Sequence, residues 1–198
     1  MKIRVHIILL LATTVAAAPA LAQSPPPGPD RGDFLVASRE LDDPNFARSV
    51  VLLLDAGPDG AAGVVVNRPT LTRVASAFPG IAAISTRDDS LFWGGPVEPR
   101  AAVILVRQDE APPGSVRVVD GVHALRTRAG IEEVLRRGPP EAALRVFTGY
   151  AGWTAGQLEA EIARGGWHLR PADAGRIFAE EVQSLWETLV RIARSPVA

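Results

Sequence analysis

Hydrophobic residues along this chain fall in short blocks, most of them too short for helices. Phe34-Leu35-Val36-Ala37 predicts a first strand. Residues 49–54 and 61–66 are near-continuous apolar runs of the same type. Neither alternates, so both faces should be covered. The link Asp55-Ala56-Gly57-Pro58-Asp59-Gly60 is built of turn residues and makes the pair a hairpin. Asn67-Arg68-Pro69 closes the second run, and residues 72–78 predict a short helix. Leu91-Phe92-Trp93 leads into a glycine-rich turn, Gly94-Gly95-Pro96-Val97, and residues 101–106 form another strand. Residues 116–119 and 122–125 flank Asp120-Gly121, the strongest short hairpin signal in the chain.

The pattern then changes period. Thr127 can cap a helix over 128–137, stopped by Gly138-Pro139-Pro140. Residues 143–148 read as a strand, and Leu158 and Ile162 fall on one helical stripe, with Gly165-Gly166 to end it. Between them Thr154-x-x-Gln157 matches a capping box, in which threonine and glutamine side chains satisfy each other's backbone amides. The expectation is a strand, a glycine-bracketed aromatic turn at 149–153 and a capped helix, with Gly149 or Gly152 at positive φ. Such a turn aims free amides outward, where an anion can bind. From Glu180 to Arg194, the positions Val182, Leu185, Trp186, Leu189, Val190 and Ala193 make an amphipathic stripe. Strands come first, then strands interleaved with three helices. That order predicts an α+β fold with a mixed sheet.

The first 31 residues stand apart from this pattern. Lys2 and Arg4 precede an apolar segment over 5–18, followed by Ala20-Leu21-Ala22, a small-x-small cleavage signature. This reads as a secretory signal peptide over 1–22, and its apolar run over 5–18 falls short of the roughly 20 residues of a membrane helix. With no cysteine in the chain, a lipid anchor on the new N-terminus is excluded and no stable membrane attachment remains. Residues 23–31 are a proline-rich flexible tether, and 32–195 form the single domain. Of 21 basic and 22 acidic residues, Lys2 and Arg4 leave with the leader, so 19 bases face 22 acids. A slightly acidic mature chain argues against nucleic acid as a partner.

Recognisable catalytic signals are few. Past the leader only His123 and His168 remain, neither at metal-ligand spacing; no zinc, phosphate-loop, dinucleotide or nucleophile-elbow motif is present. No catalytic residue, cofactor or metal ligand is assigned. Asp42-Asp43 and Asp88-Asp89 are adjacent loop carboxylates, ordinarily solvated. Arg68 sits at a strand end, held extended by Pro69, where it can face the glycine turns.

Longer stretches carry a resemblance. Gly32-Asp33-Phe34-Leu35-Val36-Ala37, Leu41-x-Asp43-Pro44-x-Phe46-x-Arg48-Ser49-Val50 and Gly60-Ala61-x-Gly63-x-x-x-Asn67-Arg68-Pro69 follow the N-terminal half of the AlgH/YqgE-like family in order. Gly94-Gly95-Pro96-Val97 and Gly149-Tyr150-Ala151-Gly152-Trp153-x-x-Gly156-Gln157-Leu158-Glu159-x-Glu161 follow its second half. The resemblance implies a bent mixed sheet forming a partial barrel, flanked by about three helices. It brings no catalytic residues and no cofactor. Most members resemble cytoplasmic proteins, whereas this chain carries an export signal. A Leu-His pair typical of the family is replaced here by Val106-Arg107.

Two functions of different classes follow as expectations. The first is a non-enzymatic exported module that binds a small anionic ligand or a protein partner. Its groove would lie where three turns converge, lined by Asn67, Arg68, Gly94, Gly95, Tyr150, Gly152, Trp153, Thr154 and Gln157. The second is a hydrolase or transferase using the amides of 149–154 as an oxyanion site, with Tyr150 or Glu159 as acid–base group.

Overall fold

The computed structural model describes residues 28–138 and 143–192. The apolar runs form the expected antiparallel meander of β1 (Asp33–Ala37), β2 (Val50–Gly57) and β3 (Gly60–Val65). β4 (Pro69–Arg73), the four-residue α1 (Val74–Ala77) and β5 (Ser90–Trp93) follow. Next come β6 (Val97–Arg107), the hairpin of β7 (Val116–Val119) and β8 (Val122–Leu125), and α2 (Arg128–Arg136). The last third holds β9 (Leu144–Thr154), α3 (Gln157–Ala163), β10 (Trp167–Pro171), α4 (Ala174–Ile177) and α5 (Leu185–Ile192).

All ten strands join one curled half-barrel sheet, ordered β10-β1-β2-β3-β9-β6-β8-β7, with β4 on β5 and β5 on β9. The β5–β9 pair is parallel and the others are antiparallel, so the sheet is mixed as expected. The unbroken apolar runs have a simple cause: both faces of the central strands are buried. On β6, Val103 and Leu105 enter one core while Ile104 and Val106 enter a second. β9 divides its side chains likewise, Phe147 to the first and Leu144 and Val146 to the second.

The helices close the two cores. Thr127 caps α2, its Oγ1 accepting from the Gly130 amide at 3.3 Å, and Ile131, Val134 and Leu135 pack inward over the second core. The C-terminal stripe packs on the first core, but its helix starts later than the sequence suggests. Residues 182–184 form a 3-10 turn and α5 begins at Leu185, so Glu180 and Glu181 precede it rather than occupy its first turn. Ala193 and Arg194 lie outside the described residues. Trp186 is buried, with its indole N–H donating to the Ala37 carbonyl at 2.7 Å. Burying on the order of 200 Å² of indole contributes roughly 5 kcal/mol, which ties α5 to the end of β1.

The largest departure is at the aromatic stretch. Residues 149–153 do not turn; β9 runs straight through them for 11 residues. At Tyr150 the strand exchanges neighbours, leaving β6 at Val97 and pairing Ala151 to Thr154 with β3. The helix cap also differs from the expected box. Gly156 is the N-cap of α3, while the Gln157 side chain reaches back as foreseen, Oε1 accepting from the Thr154 amide at 3.1 Å. The threonine hydroxyl bonds the same oxygen rather than the Gln157 amide. α3 ends as expected, Gly165 N–H donating to Ile162 O and Gly166 N–H to Glu161 O.

Candidate functional site

The three segments singled out in the sequence do meet. Trp93 N–H donates to Arg68 O at 2.9 Å, Val65 N–H to Gly94 O at 2.9 Å, and Gly94 N–H to Thr148 O at 2.8 Å. Main chain fills the space between them. A Cβ on Gly95 would sit 2.2 Å from the Tyr150 carbonyl carbon, and one on Gly94 would sit 2.3 Å from Gly149 O. The glycines are there to let two backbones cross, not to open a groove.

The remaining residues of that set divide by role. Trp153 is core: its indole N–H donates to Glu161 Oε2 at 3.0 Å, as does Trp167 Nε1 at 2.8 Å. Phe46 packs on both rings, with centroids 6.1 and 5.6 Å away. Gly152, Thr154 and Gln157 are exposed on the outer part of β9 and the start of α3. Residues 151–154 pair with β3, and the Thr154 amide turns away from that strand to donate to Gln157 Oε1 at 3.1 Å. Asp88 and Asp89 are engaged as ion pairs, with Arg73 and Arg87 respectively, rather than simply solvated. Among the described residues no group of three or more His, Asp or Glu side chains is placed to hold a metal ion.

Asn67 and Arg68 lead somewhere else. Asn67 is buried, donating from Nδ2 to Arg48 O at 3.0 Å and accepting from the Val50 amide at 2.8 Å. Arg68 donates from Nη1 to Asn45 O at 2.5 Å and from Nη2 to Ala47 O at 2.9 Å. Burial pulls its guanidinium below the ordinary arginine value, with Asp43 opposing, and its plane lies over the Trp93 ring at 5.0 Å. Both side chains are engaged by main chain. Together they clamp the segment 45–48 by its carbonyls.

That segment ends on Arg48, held at φ +58, left-handed backbone rare for a side chain of this size. Such a conformation costs about 1–3 kcal/mol, and four buried or charge-assisted hydrogen bonds at about 1 kcal/mol each outweigh it. The strained turn sends the Arg48 guanidinium over Trp186, 4.9 Å from the ring centroid, with Arg39 over the same ring at 5.4 Å. Arg191, on the next turn of α5, completes one wall of a cavity of about 450 Å³ that also includes Glu187. Glu187 pairs with Arg48 at 2.8 Å and gives its main-chain oxygen to Arg191 Nε at 3.0 Å. Three arginines and one carboxylate, paired with Arg48, therefore line the cavity beside the Trp186 ring. Planar forks at such a site suit an oxyanion.

The sequence offered a pointer to Arg48 only through the resemblance, inside Leu41-x-Asp43-Pro44-x-Phe46-x-Arg48-Ser49-Val50. Nothing in its local chemistry announces a left-handed arginine. Trp186 read as core from its helical stripe, which is right, yet its edge also floors the cavity.

The fold is a curled α+β half-barrel, and comparison places the chain in a family. Residues 34–197 match the family model described as AlgH-like (DUF179), and the chain belongs to that family. It is 37% identical over 170 residues to a UPF0301 protein of Methylococcus capsulatus, covering 84% of this chain and 92% of that one. It is 34% identical over 161 residues to a UPF0301 protein of Chlorobaculum tepidum, covering 81% and 84%. Among solved structures, the AlgH protein of Pseudomonas aeruginosa superimposes with a TM-score of 0.66 at 26% identity, over 90% of this chain and 100% of that one. Protein DIP2367 of Corynebacterium diphtheriae superimposes with 0.72, also at 26%, over 86% and 90%.

Proposed function

We propose that this chain is an exported, non-enzymatic binding module that takes a small oxyanion, a phosphate or carboxylate group, between Arg39, Arg48 and Arg191. The observation that carries the reading is the clamp. A buried asparagine and a half-buried arginine hold Arg48 in strained backbone over Trp186. Strain retained by a dedicated set of hydrogen bonds is the mark of a position that a fold alone does not need. A backbone already fixed at Arg48, with its guanidinium over the Trp186 ring, loses less freedom when an anion arrives than a free side chain does. The export half of the reading rests on Lys2, Arg4, the apolar 5–18 segment and Ala20-Leu21-Ala22.

Titration with inorganic phosphate at low salt, followed by calorimetry, tests the site. Arg39→Gln and Arg48→Gln should each weaken binding roughly tenfold or more, since a charged hydrogen bond contributes about 1.5–3 kcal/mol. Phosphate binding that is unchanged in both variants, or absent from the parent protein, would overturn it. Location is tested separately by sequencing the N-terminus of protein from fractionated cells. Gln23 in the periplasm is expected; intact Met1 in the cytosol would remove the export half.

A further inference from the structure

A second cleft, also about 450 Å³, opens between the 77–81 segment, the outer part of β6 and α2. Its floor is apolar. Phe78, Ile81 and Ala102 lie half-buried against the second core, beside the buried Ile131. Its rim is cationic. Arg128 pairs with Glu132 at 2.8 Å, but Arg100 and Arg126 have no ion pair or hydrogen bond among the described residues. Arg126 rests instead over the Tyr150 ring, 5.2 Å from its centroid.

The wall carrying Arg100 is an irregularity of the sheet. Pairing jumps from Val97 opposite Tyr150 to Ala102 opposite Thr148, so β6 spends five residues where β9 advances two. An ordinary bulge inserts a single extra residue. Glu98, at the start of this one, holds φ +44, a second left-handed side chain. The insertion takes Arg100 and Ala101 out of the ladder and into the lining of the cleft.

We propose that this cleft binds an anion with an apolar body, of the medium-chain carboxylate class. The chain would lie on Phe78, Ile81 and Ala102, and the carboxylate between Arg100 and Arg126. Two observations select that chemistry over its neighbours. A bare oxyanion would leave the apolar floor wet, and a neutral lipid would make no use of the two unpaired guanidiniums at the rim. The volume falls within the usual range for small-molecule sites, roughly 300–1,000 Å³. This site is separate from the Arg39–Arg48–Arg191 pocket and does not depend on it.

The test uses the purified full chain with anilinonaphthalene sulfonate as fluorescent probe and octanoate and octanol as competitors. Octanoate should displace the probe at least about tenfold more effectively than octanol, because only the acid engages the guanidiniums. The Arg100→Gln/Arg126→Gln double variant should erase that preference, and Ala77→Trp, at an exposed lining position, should block binding without touching either arginine. Arg117→Gln, whose side chain pairs with Asp120 and lines neither cavity, should leave probe binding unchanged. Equal competition by octanoate and octanol, or probe binding indifferent to Ala77→Trp, would overturn the proposal. So would binding that appears only once residues 1–27 are removed, which would assign the cleft to the chain's own apolar leader.

Discussion

Replacing Gly149 by alanine tests the backbone crossing at the centre of the sheet. Its φ is +66, and a Cβ built there would meet Gly95 O at 2.3 Å and Val97 O at 3.0 Å. Left-handed backbone alone costs a non-glycine residue about 1–2 kcal/mol. The clash adds to it, because both contacts are main-chain oxygens that cannot rotate away. Relief requires parting the crossing, which carries Gly94 N–H to Thr148 O and Val65 N–H to Gly94 O. Weakening those two bonds loses about 1 kcal/mol each, so Gly149→Ala should destabilise by roughly 3–5 kcal/mol in total. Gly152, three residues on, is the control. It is exposed, its φ lies outside the left-handed range, and its nearest neighbour would be Tyr150 Cε2 at an ordinary 3.4 Å. Gly152→Ala should therefore stay within about 0.5 kcal/mol of the parent. Urea unfolding followed by tryptophan fluorescence measures both, provided the slopes agree. Equal effects in the two variants, or a cost below about 1 kcal/mol for Gly149→Ala, would refute the crossing as the reason for these glycines.

Three further outcomes follow. Asn67→Ala strands the buried Val50 amide and frees Arg48 O; urea unfolding should show a loss of about 2–3 kcal/mol, and phosphate titration of the folded fraction should show weaker binding. His123 is buried on β8 with both ring nitrogens unpartnered among the described residues, so His123→Leu should leave stability unchanged or raise it by about 1–2 kcal/mol, and a clear loss in the same assay would reveal a hidden partner. Burial pushes the Asp33 carboxyl above its usual range, against the lowering bond from the Asp30 amide. The folded chain then holds that proton to higher pH than the unfolded chain, so the group's contribution falls as pH rises through the carboxylate range. Urea unfolding at several pH values should therefore show the stability difference moving in favour of Asp33→Asn as pH rises across that range.

Much of the fold was legible, for reasons specific to each element. The runs at 50–54 and 61–65 are strands because both faces meet a core, which leaves a signature that no helix of that length would carry. The Asp120-Gly121 hairpin and the Thr127 cap were local signals and held locally. The aromatic stretch misled because glycine has two uses. It permits left-handed φ, as Gly149 does, and it permits close approach of another chain segment, as Gly94 and Gly95 do. Only the second depends on partners more than 50 residues away, which no local pattern reports. β4 and β10 were missed because their pairing, with β5 and β1, supplies what their sequences lack. For the site, Asn67 and Arg68 were expected to line a groove, and what no local pattern reports is that their side chains hydrogen-bond the main chain that leads into Arg48.

The place of β9 in the chain has a consequence for synthesis. This strand touches β3, β5 and β6, and without it the sheet falls into separate pieces. It ends at Thr154 in a chain of 198 residues. At translation rates of roughly 5–20 residues per second, the earlier strands spend several seconds outside the ribosome before their shared neighbour exists. Sheets closed by such distant pairings also fold slowly once complete. A nascent chain of this design stays threadable for longer than one assembled from consecutive hairpins, and threading through a narrow channel requires that property.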